Sequence, residues 1–591
     1  MTLDILRNHT FPLSTEQDWK NAVERSLKGK GADSLSTETY ENIILKPLYS
    51  EGTQEVEQPG AAPYTRGIGA NDLWICQENQ GEDAEAVKEA VRKGIESGEN
   101  AIAFKIGSLK SEEVTAVLED LPIEDYPVFT QAYGAQQVIM DSNLPITGVI
   151  ARDLIMEWVQ EGGLPLKEQA ELADWFALIG KWRNNRPHVK TILVDTAPYH
   201  EAGADAAREI AYALAAGVEY MDAAKSAGVE PIDLADCIVF SFAIDSQFFM
   251  QIGKLRAARR LWSAVGQAYG IDECKMVIHA KTSMRNKSGY DRHVNLLRTS
   301  NEAFAALAGG CQYITVAPFD AMLGQGSSLG VRMARNIVHI LDKEAGIRQT
   351  EDPGGGSYYL EALTDEICEK AWAHFLEIER GGGMLAALKK GSIQAELSEK
   401  AQLRLENVSL RKEKIIGVNV YANPAEERPD MRVQLPPSSG AEKRRELIPL
   451  KPIRLSSEFE VIRSMNLTWR DQALTERIAL AGVGDLKAYK PYMDFAKEIL
   501  ASGGLSYQLG EGLASIEEIE DFAGQSTIVH LIICGKEEDL QGDLSKLSLQ
   551  PHVKVYTVGE FSENANHQQI DRSMNIIEWL TVLSSTQEVE A

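Results

Sequence analysis

Residues 191–242 read TILVDTAPYHEAGADAAREIAYALAAGVEYMDAAKSAGVEPIDLADCIVFSF. Two short apolar runs, Thr191–Val194 and Ile238–Phe242, are typical of buried strands, and the stretch from Ala202 to Ala224 between them is typical of a helix. Strands joined in this way pair in parallel, because a parallel crossover needs about a dozen residues and usually a helix. The stretch therefore predicts a strand–helix–strand unit.

The same alternation extends over residues 68–400. Further apolar runs predict strands at Ala101–Ile106, Met276–Ala280 and Tyr313–Ala317, and longer amphipathic stretches predict helices at Asp83–Ser97 and Phe248–Tyr269. Repetition over this length favours a (β/α)8 barrel over an open sheet. We therefore predict a TIM barrel at residues 68–400.

The regions on either side of the predicted barrel differ from it in pattern. Residues 1–67 resemble an arm, with an amphipathic helix from Thr15 to Lys28 that carries Trp19, Val23 and Leu27 at four-residue steps. Residues 401–470 are predicted to be a linker, because they contain the proline-rich stretch 435–440 and the charged run 442–446.

A smaller α/β unit is predicted at residues 471–591. Apolar runs indicate strands at Ile478–Val483, Thr527–Cys534 and Val553–Val558, with a helix from Tyr492 to Ser502. This pattern favours a flavodoxin-like, doubly wound domain.

Composition limits the classes of function. The chain has 591 residues, of which 44% are hydrophobic and 25% charged, and its formal net charge is −27. Such a surface repels phosphate backbones and anionic lipids, so we expect neither nucleic acid nor a membrane as a partner. The amino terminus lacks the pattern of a signal peptide, and no apolar run approaches the roughly 20 residues of a membrane span. A soluble, cytoplasmic protein is expected.

The cysteines indicate no metal or disulfide chemistry. The chain has six, and no two form a C-x-x-C pair, so we predict buried reduced thiols and no metal site.

Eight short stretches follow the order and spacing of the methylmalonyl-CoA mutase family, which the chain therefore resembles. They are Lys46–Ser50, Pro59–Gly60 with Thr65–Gly67, Glu201–Ala204 with Ala211–Ala215, Lys254–Arg259, Ala334–Asn336, Asp352–Tyr358, Gly382–Met384 and Ile416–Asn419. The resemblance implies a barrel threaded by an acyl-CoA, followed by a flavodoxin-like domain that binds cobalamin. In the catalytic members adenosylcobalamin supplies a radical, and the protein binds and shields it.

The cobalt-binding signature of that family is missing here. In the family a histidine of an Asp-x-His-x-x-Gly loop ligates the cobalt, and the matching position in this chain is Ala488. The segments that accommodate the nucleotide tail in relatives correspond to Cys534–Lys536 and Gly559–Glu560. A charged glutamate at this place argues against entry of the tail, so the resemblance implies that this chain binds no cobalamin.

The substrate pocket implied by the resemblance is also altered. Catalytic members carry tyrosines and arginines after the Thr-Arg-Gly stretch, whereas Ile68–Val91 contains neither. Several positions that are polar or basic in the family carry other residues in this chain: Val149, Ala151, Glu161, Cys237 and Val239. The arginine that recognises the substrate carboxylate in the family aligns with Glu161, which reverses the charge.

Two histidines remain as weak candidates for a catalytic role. The family's catalytic histidine aligns with Pro198, which leaves His200 two residues out of register. His279 keeps a family histidine, but Lys281 replaces the glutamine that follows it. We therefore expect no catalytic residue in this chain.

Three hypotheses follow. The first is a non-catalytic subunit that forms a heterodimer with a catalytic large subunit, which alone binds adenosylcobalamin and isomerises (R)-methylmalonyl-CoA and succinyl-CoA. In this hypothesis the arm at residues 1–67 is a candidate subunit contact. The second is an active mutase, acting on its own or on another acyl-CoA. The third is an unrelated barrel lyase or aldolase, for which Asp195 and Asp245 are the candidate acids.

Overall fold

A computed structural model describes residues 14–50, 57–69, 72–107, 109–324, 326–427, 429, 443–444, 446–471, 477–524, 527–562 and 567–585. The predicted connector stretch 435–440 lies outside the described residues, as do Glu442 and Arg445 of the charged run 442–446.

Eight parallel strands form the first domain. In chain order, β1 to β8 are Trp74–Ile75, Ile102–Ala103, Val128–Gln131, Gly148–Arg152, Val189–Asp195, Ile238–Ile244, Val277–Thr282 and Tyr313–Thr315. Their order in the sheet is β1-β8-β7-β6-β5-β4-β3-β2. A parallel bridge between Asn79 and Phe104, just beyond β1 and β2, joins the two edges and closes the barrel. The predicted (β/α)8 barrel is confirmed.

Helices surround these strands. They are Ala84–Glu96, Ser111–Glu119, Gln136–Asp141, Leu154–Glu161, Glu168–Asn185, Ala197–Glu201, Ala206–Ser226, Pro231–Ala235, Phe248–Ala268, Val294–Ala308, Ser328–His339, Tyr358–Arg380, Met384–Lys390 and Ser392–Ser409. The main core lies between β5–β7 and the helices at 206–226, 248–268 and 358–380. Strands β5 and β6 are buried on both faces, which explains why they read as continuous apolar runs.

The predicted helix between β5 and β6 begins later than the sequence pattern indicates. Gly203 has a φ of 128°, which interrupts the helix, and Asp205 caps a new helix that starts at Ala206. The residues before this break form the separate short helix Ala197–Glu201, which carries both Pro198 and His200.

The described part of the arm contains the helix Glu16–Ser26 within the predicted stretch Thr15–Lys28, and Thr15 caps it. No residue of this helix is buried, and Trp19, Val23 and Leu27 are each partly exposed. A short hairpin of Thr37–Glu38 and Ile44–Leu45 follows and attaches the arm to the barrel, where Ile43 joins the main core.

Part of the predicted linker is ordered against the rest of the chain. Lys443–Arg444 pairs with Leu164–Pro165, and Leu447 joins the barrel core, so this stretch is not a fully solvated connector. Beyond it, Ile453 N donates to Glu201 O and Leu455 N donates to Arg285 O. The segment thus crosses loops at the carboxyl ends of the barrel strands before the helix Ser457–Asp471 begins.

The second domain is a five-stranded parallel sheet. Strands β9 to β13 are Ile478–Val483, Gln508–Leu513, His530–Lys536, Lys554–Glu560 and Gln568–Gln569, in the order β10-β9-β11-β12-β13. The helices Leu486–Ser502, Ile516–Ala523 and Ile576–Ser585 pack on its two faces. This is the predicted flavodoxin-like architecture. His530 begins β11 and is buried.

Among the described residues, no helix is long and apolar enough to cross a membrane.

Candidate functional site

Two anions and two cations lie at the carboxyl ends of the barrel strands, where barrel enzymes place their active sites. Lys281 Nζ lies 2.6 Å from Glu78 Oε1, and Lys105 Nζ lies 2.6 Å from Glu78 Oε2. Asp195 Oδ2 accepts a hydrogen bond of 3.2 Å from Gln131 Nε2. We call Glu78, Lys105, Asp195 and Lys281 the mouth cluster.

The charges of the mouth cluster determine its protonation. Burial disfavours the charged form of Lys281, but Glu78 and Asp195 outweigh it and raise the pKa of the ammonium. Burial also opposes the charge on Glu78, yet the two lysines hold the pKa of that carboxyl far below its usual range. Lys281 is therefore protonated at neutral pH and has no free amine for nucleophilic attack.

His279 is held in one tautomer inside the barrel. Thr315 Oγ1 donates to Cys76 O at 2.6 Å, so it accepts the hydrogen bond of 2.8 Å from His279 Nε2. His279 Nδ1 then accepts from Ser241 Oγ at 3.0 Å. Burial, followed by the charge of Lys281, lowers the pKa of His279 to about 3. The ring is neutral, and both its nitrogens are occupied by the barrel itself.

An aromatic side chain crosses the barrel axis. Phe129 on β3 lies with its ring centroid 4.5 Å from that of His279 on β7, and 5.2 Å from that of Tyr313 on β8. Strands β3 and β7 are four apart in the sheet of eight, so this contact spans the interior. The side chains around it are buried and apolar and come from six strands or their ends: Cys76, Ala101, Ala103, Val149, Ala151, Leu193, Val239 and Tyr313.

The altered pocket positions are divided by the structure into two groups. Val149, Ala151 and Val239 face the interior beside Phe129. Cys237 belongs instead to the core outside the barrel, with its Sγ donating to Asp233 O at 3.2 Å. Glu161 also lies away from the interior, at the last turn of the helix Leu154–Glu161.

His200 is part of a buried network between the barrel and the helix Ala206–Ser226. Its Nε2 lies 2.9 Å from Ser283 Oγ and its Nδ1 lies 3.5 Å from Glu209 Oε2. Lys254 Nζ contacts the same carboxylate at 2.8 Å. Burial and the nearby Arg285 lower the pKa of His200 to about 4. The contacts indicate a structural histidine.

The two acids considered for an unrelated barrel enzyme have different partners. Asp245 is paired with Arg285 Nη2 at 2.8 Å and accepts from Gln251 Nε2 at 2.7 Å. The guanidinium outweighs burial and holds the pKa of Asp245 far below its usual range, whereas burial raises the pKa of Asp195.

The loop after β9 is closed around the position of the family's cobalt ligand. Asp485 caps the helix Leu486–Ser502, and its Oδ1 accepts from Ala488 N at 2.9 Å. The helix lies directly on the strand, because a Cβ added to Gly482 would meet Tyr489 Cδ2 at 2.6 Å and Met493 Cε at 2.7 Å. Ala488 presents only a methyl group, which cannot ligate a metal.

The ends of the neighbouring strands β11 and β12 pack closely against each other and carry charged side chains. Glu560 Oε1 accepts from Tyr492 Oη at 2.7 Å and lies 3.2 Å from Lys536 Nζ. A Cβ on Gly559 would lie 1.9 Å from Gly535 O, so close strand packing explains these glycines. Among the described residues, no group of three or more potential metal ligands is found. The residues at this edge do not fit cobalamin.

Sequence reasoning identified His279 and Lys281 but missed Phe129, Glu78 and Lys105. A charged residue near the end of the predicted strand Ala101–Ile106 was the available signal for Lys105. Glu78 follows a strand of two residues that the sequence pattern does not predict. Phe129 lies in an apolar run that gives no indication of what its ring contacts.

The chain is similar to known proteins over most of its length. A sequence model described as methylmalonyl-CoA mutase matches residues 127–462. A methylmalonyl-CoA mutase small subunit of Porphyromonas gingivalis is 28% identical over 567 residues, covering 90% of this chain and 89% of that protein. The methylmalonyl-CoA mutase small subunit of Streptomyces virginiae is 30% identical over 525 residues, covering 84% of this chain and 83% of that protein. The methylmalonyl-CoA mutase large subunit of the same organism is 28% identical over 471 residues, covering 71% of this chain and 64% of that protein.

Proposed function

Because the chain belongs to the methylmalonyl-CoA mutase family, we propose that it is the small, non-catalytic subunit of a heterodimeric methylmalonyl-CoA mutase. The complex would interconvert (R)-methylmalonyl-CoA and succinyl-CoA, and the large subunit would bind adenosylcobalamin and perform the chemistry. The two relatives named as small subunits support this assignment, since each aligns over more than four fifths of both chains. With the family established, the hypothesis of an unrelated lyase or aldolase is wrong.

The contact between Phe129 and His279 carries the proposal. An acyl-CoA that threads a barrel needs an open axis, whereas here two rings 4.5 Å apart meet across it. The apolar side chains beside them, including Val149, Ala151 and Val239, supply neither a hydroxyl nor an amide to a thioester. The interior is therefore built as a packed core rather than a binding site.

The mouth cluster supports the same conclusion through its charge. It contains two carboxylates and two ammonium groups, and three of these are joined through Glu78. A site for the phosphates of CoA requires uncompensated positive charge, as arginine or lysine supplies in phosphate recognition. The cluster balances its own charges, so it offers little to an anion.

The edge of the second domain supports the absence of cobalamin from this chain. Ala488 has no atom to ligate cobalt, and Tyr489 and Met493 pack directly on β9. The carboxylate of Glu560, paired with Lys536, occupies the end of β12.

The arm supports a contact with a partner subunit. Its helix buries none of its residues, although Trp19, Val23 and Leu27 form an apolar face. Such a face is stabilised when another surface covers it. We propose that the large subunit does so.

Co-expression with a catalytic large subunit tests the proposal. We expect a one-to-one complex with one cobalamin, and the complex should isomerise methylmalonyl-CoA. This chain purified alone should bind no adenosylcobalamin in a titration followed by visible absorbance, and should show no turnover.

Two results would contradict the proposal. If this chain alone isomerised an acyl-CoA, the alternative of an active mutase would be correct. If the chains failed to associate while the large subunit was fully active by itself, the assignment as a subunit would be wrong.

A further inference from the structure

A cleft remote from the barrel interior lies on the second domain. It has a volume of about 550 Å³ and is formed by the helix Leu486–Ser502, the segment that follows it, Arg572, and the loop at Tyr421 and Pro424. Small-molecule sites are commonly clefts of roughly 300–1,000 Å³. The proposed function makes no use of this cleft.

Three aromatic rings line the cleft, contributed by Tyr421, Phe495 and Tyr507. Tyr421 is the most unusual of them, because it is 75% exposed and has a φ of 52°. A non-glycine residue in this left-handed conformation is strained, and such strain persists only where the surrounding structure enforces it.

Hydrogen bonds hold the backbone of the loop that carries Tyr421. Asn419 is fully buried and makes three hydrogen bonds to the backbone: it accepts from Ile415 N at 2.7 Å and donates to Val408 O at 2.9 Å and Glu413 O at 2.8 Å. Gly417 N donates to Val420 O at 2.8 Å, closing the turn. The stretch Ile416–Asn419, one of the family-like motifs, therefore holds the backbone that places the exposed side chain of Tyr421 at the edge of the cleft.

The charges in the cleft leave two cations uncompensated. Asp494 is paired with Lys490 at 3.1 Å, and Glu498 is paired with Arg411 at 2.5 Å. Among the described residues, neither Lys497 nor Arg572 has an ion-pair partner, although the chain carries a net charge of −27. Two unpaired cations in an acidic protein indicate a site for an anion.

We propose that this cleft binds a nucleoside phosphate. The base stacks on Tyr421 and the neighbouring rings, and the phosphates contact Lys497 and Arg572. Aromatic faces accept any base, and lysine and arginine are the common phosphate ligands. Either a free nucleotide or the nucleotide end of CoA has this chemistry.

Isothermal titration of the full-length chain with ADP, CoA and inorganic pyrophosphate tests the assignment. We expect saturable binding of ADP or CoA below ~1 mM. The substitutions Lys497→Ala and Arg572→Ala should each weaken binding about tenfold. Tyr421→Ala should weaken ADP binding about tenfold but leave pyrophosphate binding nearly unchanged, because only the base uses the ring.

Matched substitutions outside the cleft serve as controls. Tyr358→Ala removes another exposed tyrosine and Lys554→Ala removes an exposed lysine, and neither should change binding. Tighter binding of ADP than of CoA would identify a free nucleotide as the ligand, and the reverse order would identify CoA. The proposal is overturned if neither ligand binds, if the cleft variants bind as the wild type does, or if Tyr421→Ala leaves ADP binding unchanged.

Discussion

Replacing Phe129 by alanine tests whether the barrel interior is a packed core or a substrate channel. The ring is 8% exposed and contacts both His279 and Tyr313. Truncating a buried phenylalanine costs ~3–5 kcal/mol through lost burial and the cavity that remains. We expect a destabilisation of that size for Phe129→Ala.

Phe240→Ala provides the matched control. Phe240 lies on β6 of the same barrel and is fully buried, but it faces the outer helices. Its ring centroid lies 4.7 Å from that of Trp262. The two variants should show similar losses of stability in urea unfolding, because each removes one buried ring from the same domain.

The function of the complex distinguishes the two models of the interior. If all chemistry occurs on the large subunit, both variants should leave kcat and KM of the assembled complex unchanged. A change in KM or kcat for Phe129→Ala alone, with the complex intact, would show that this barrel contacts substrate and would refute the reasoning. A loss of stability below ~1 kcal/mol would show that the ring does not fill the axis.

Four further outcomes are expected. His279 has a pKa of about 3 in the fold and ~6.5 when unfolded, so its contribution to stability falls as the pH drops below 6.5. From pH 8 to pH 5, wild type should lose ~2 kcal/mol of unfolding free energy relative to His279→Gln, and equal slopes would contradict this. His200→Ala should lower the melting temperature through its lost contacts to Ser283 and Glu209, yet leave the turnover of the purified complex unchanged; loss of turnover in an intact complex would contradict it. Ala488→His should not restore cobalamin binding, because Tyr489 still fills the space beside β9, and a saturable absorbance change would show otherwise. Trp19→Ala should weaken association with the large subunit without changing the melting temperature of the chain alone, whereas an unchanged dissociation constant would rule out the arm as a contact.

Sequence patterns predicted the barrel well where its strands are long and buried on both faces. Ile238–Phe242 was expected and Ile238–Ile244 is found, because a strand covered on both sides is continuously apolar. Strand β1 has only two residues, Trp74–Ile75, and so short an element leaves no period to detect. The helix starts late, at Ala206, because Gly203 has a positive φ, and the sequence does not show which conformation a glycine takes.

The candidate site was predicted only in part, for a physical reason. The missing ligand at Ala488 is visible in sequence, because it concerns one residue type at one position. The contact of Phe129 with His279 joins residues far apart in the chain, and periodicity gives the face of a strand but not its partner across a barrel. The ion pairs of Glu78 with Lys105 and Lys281 were missed for the same reason.

On the proposed function, balanced charge explains how a barrel without a bound ligand keeps its fold. A mouth that is specialised for an anion holds cations close together, and without the ligand these repel one another at a cost in stability. Here Glu78 lies between Lys105 and Lys281, so the protein supplies the negative charge itself. Removing that carboxylate would leave the two ammonium groups facing each other in a partly buried site. On the proposed function, the packed axis and the balanced charges at the mouth act together, and side chains take the place of a bound molecule.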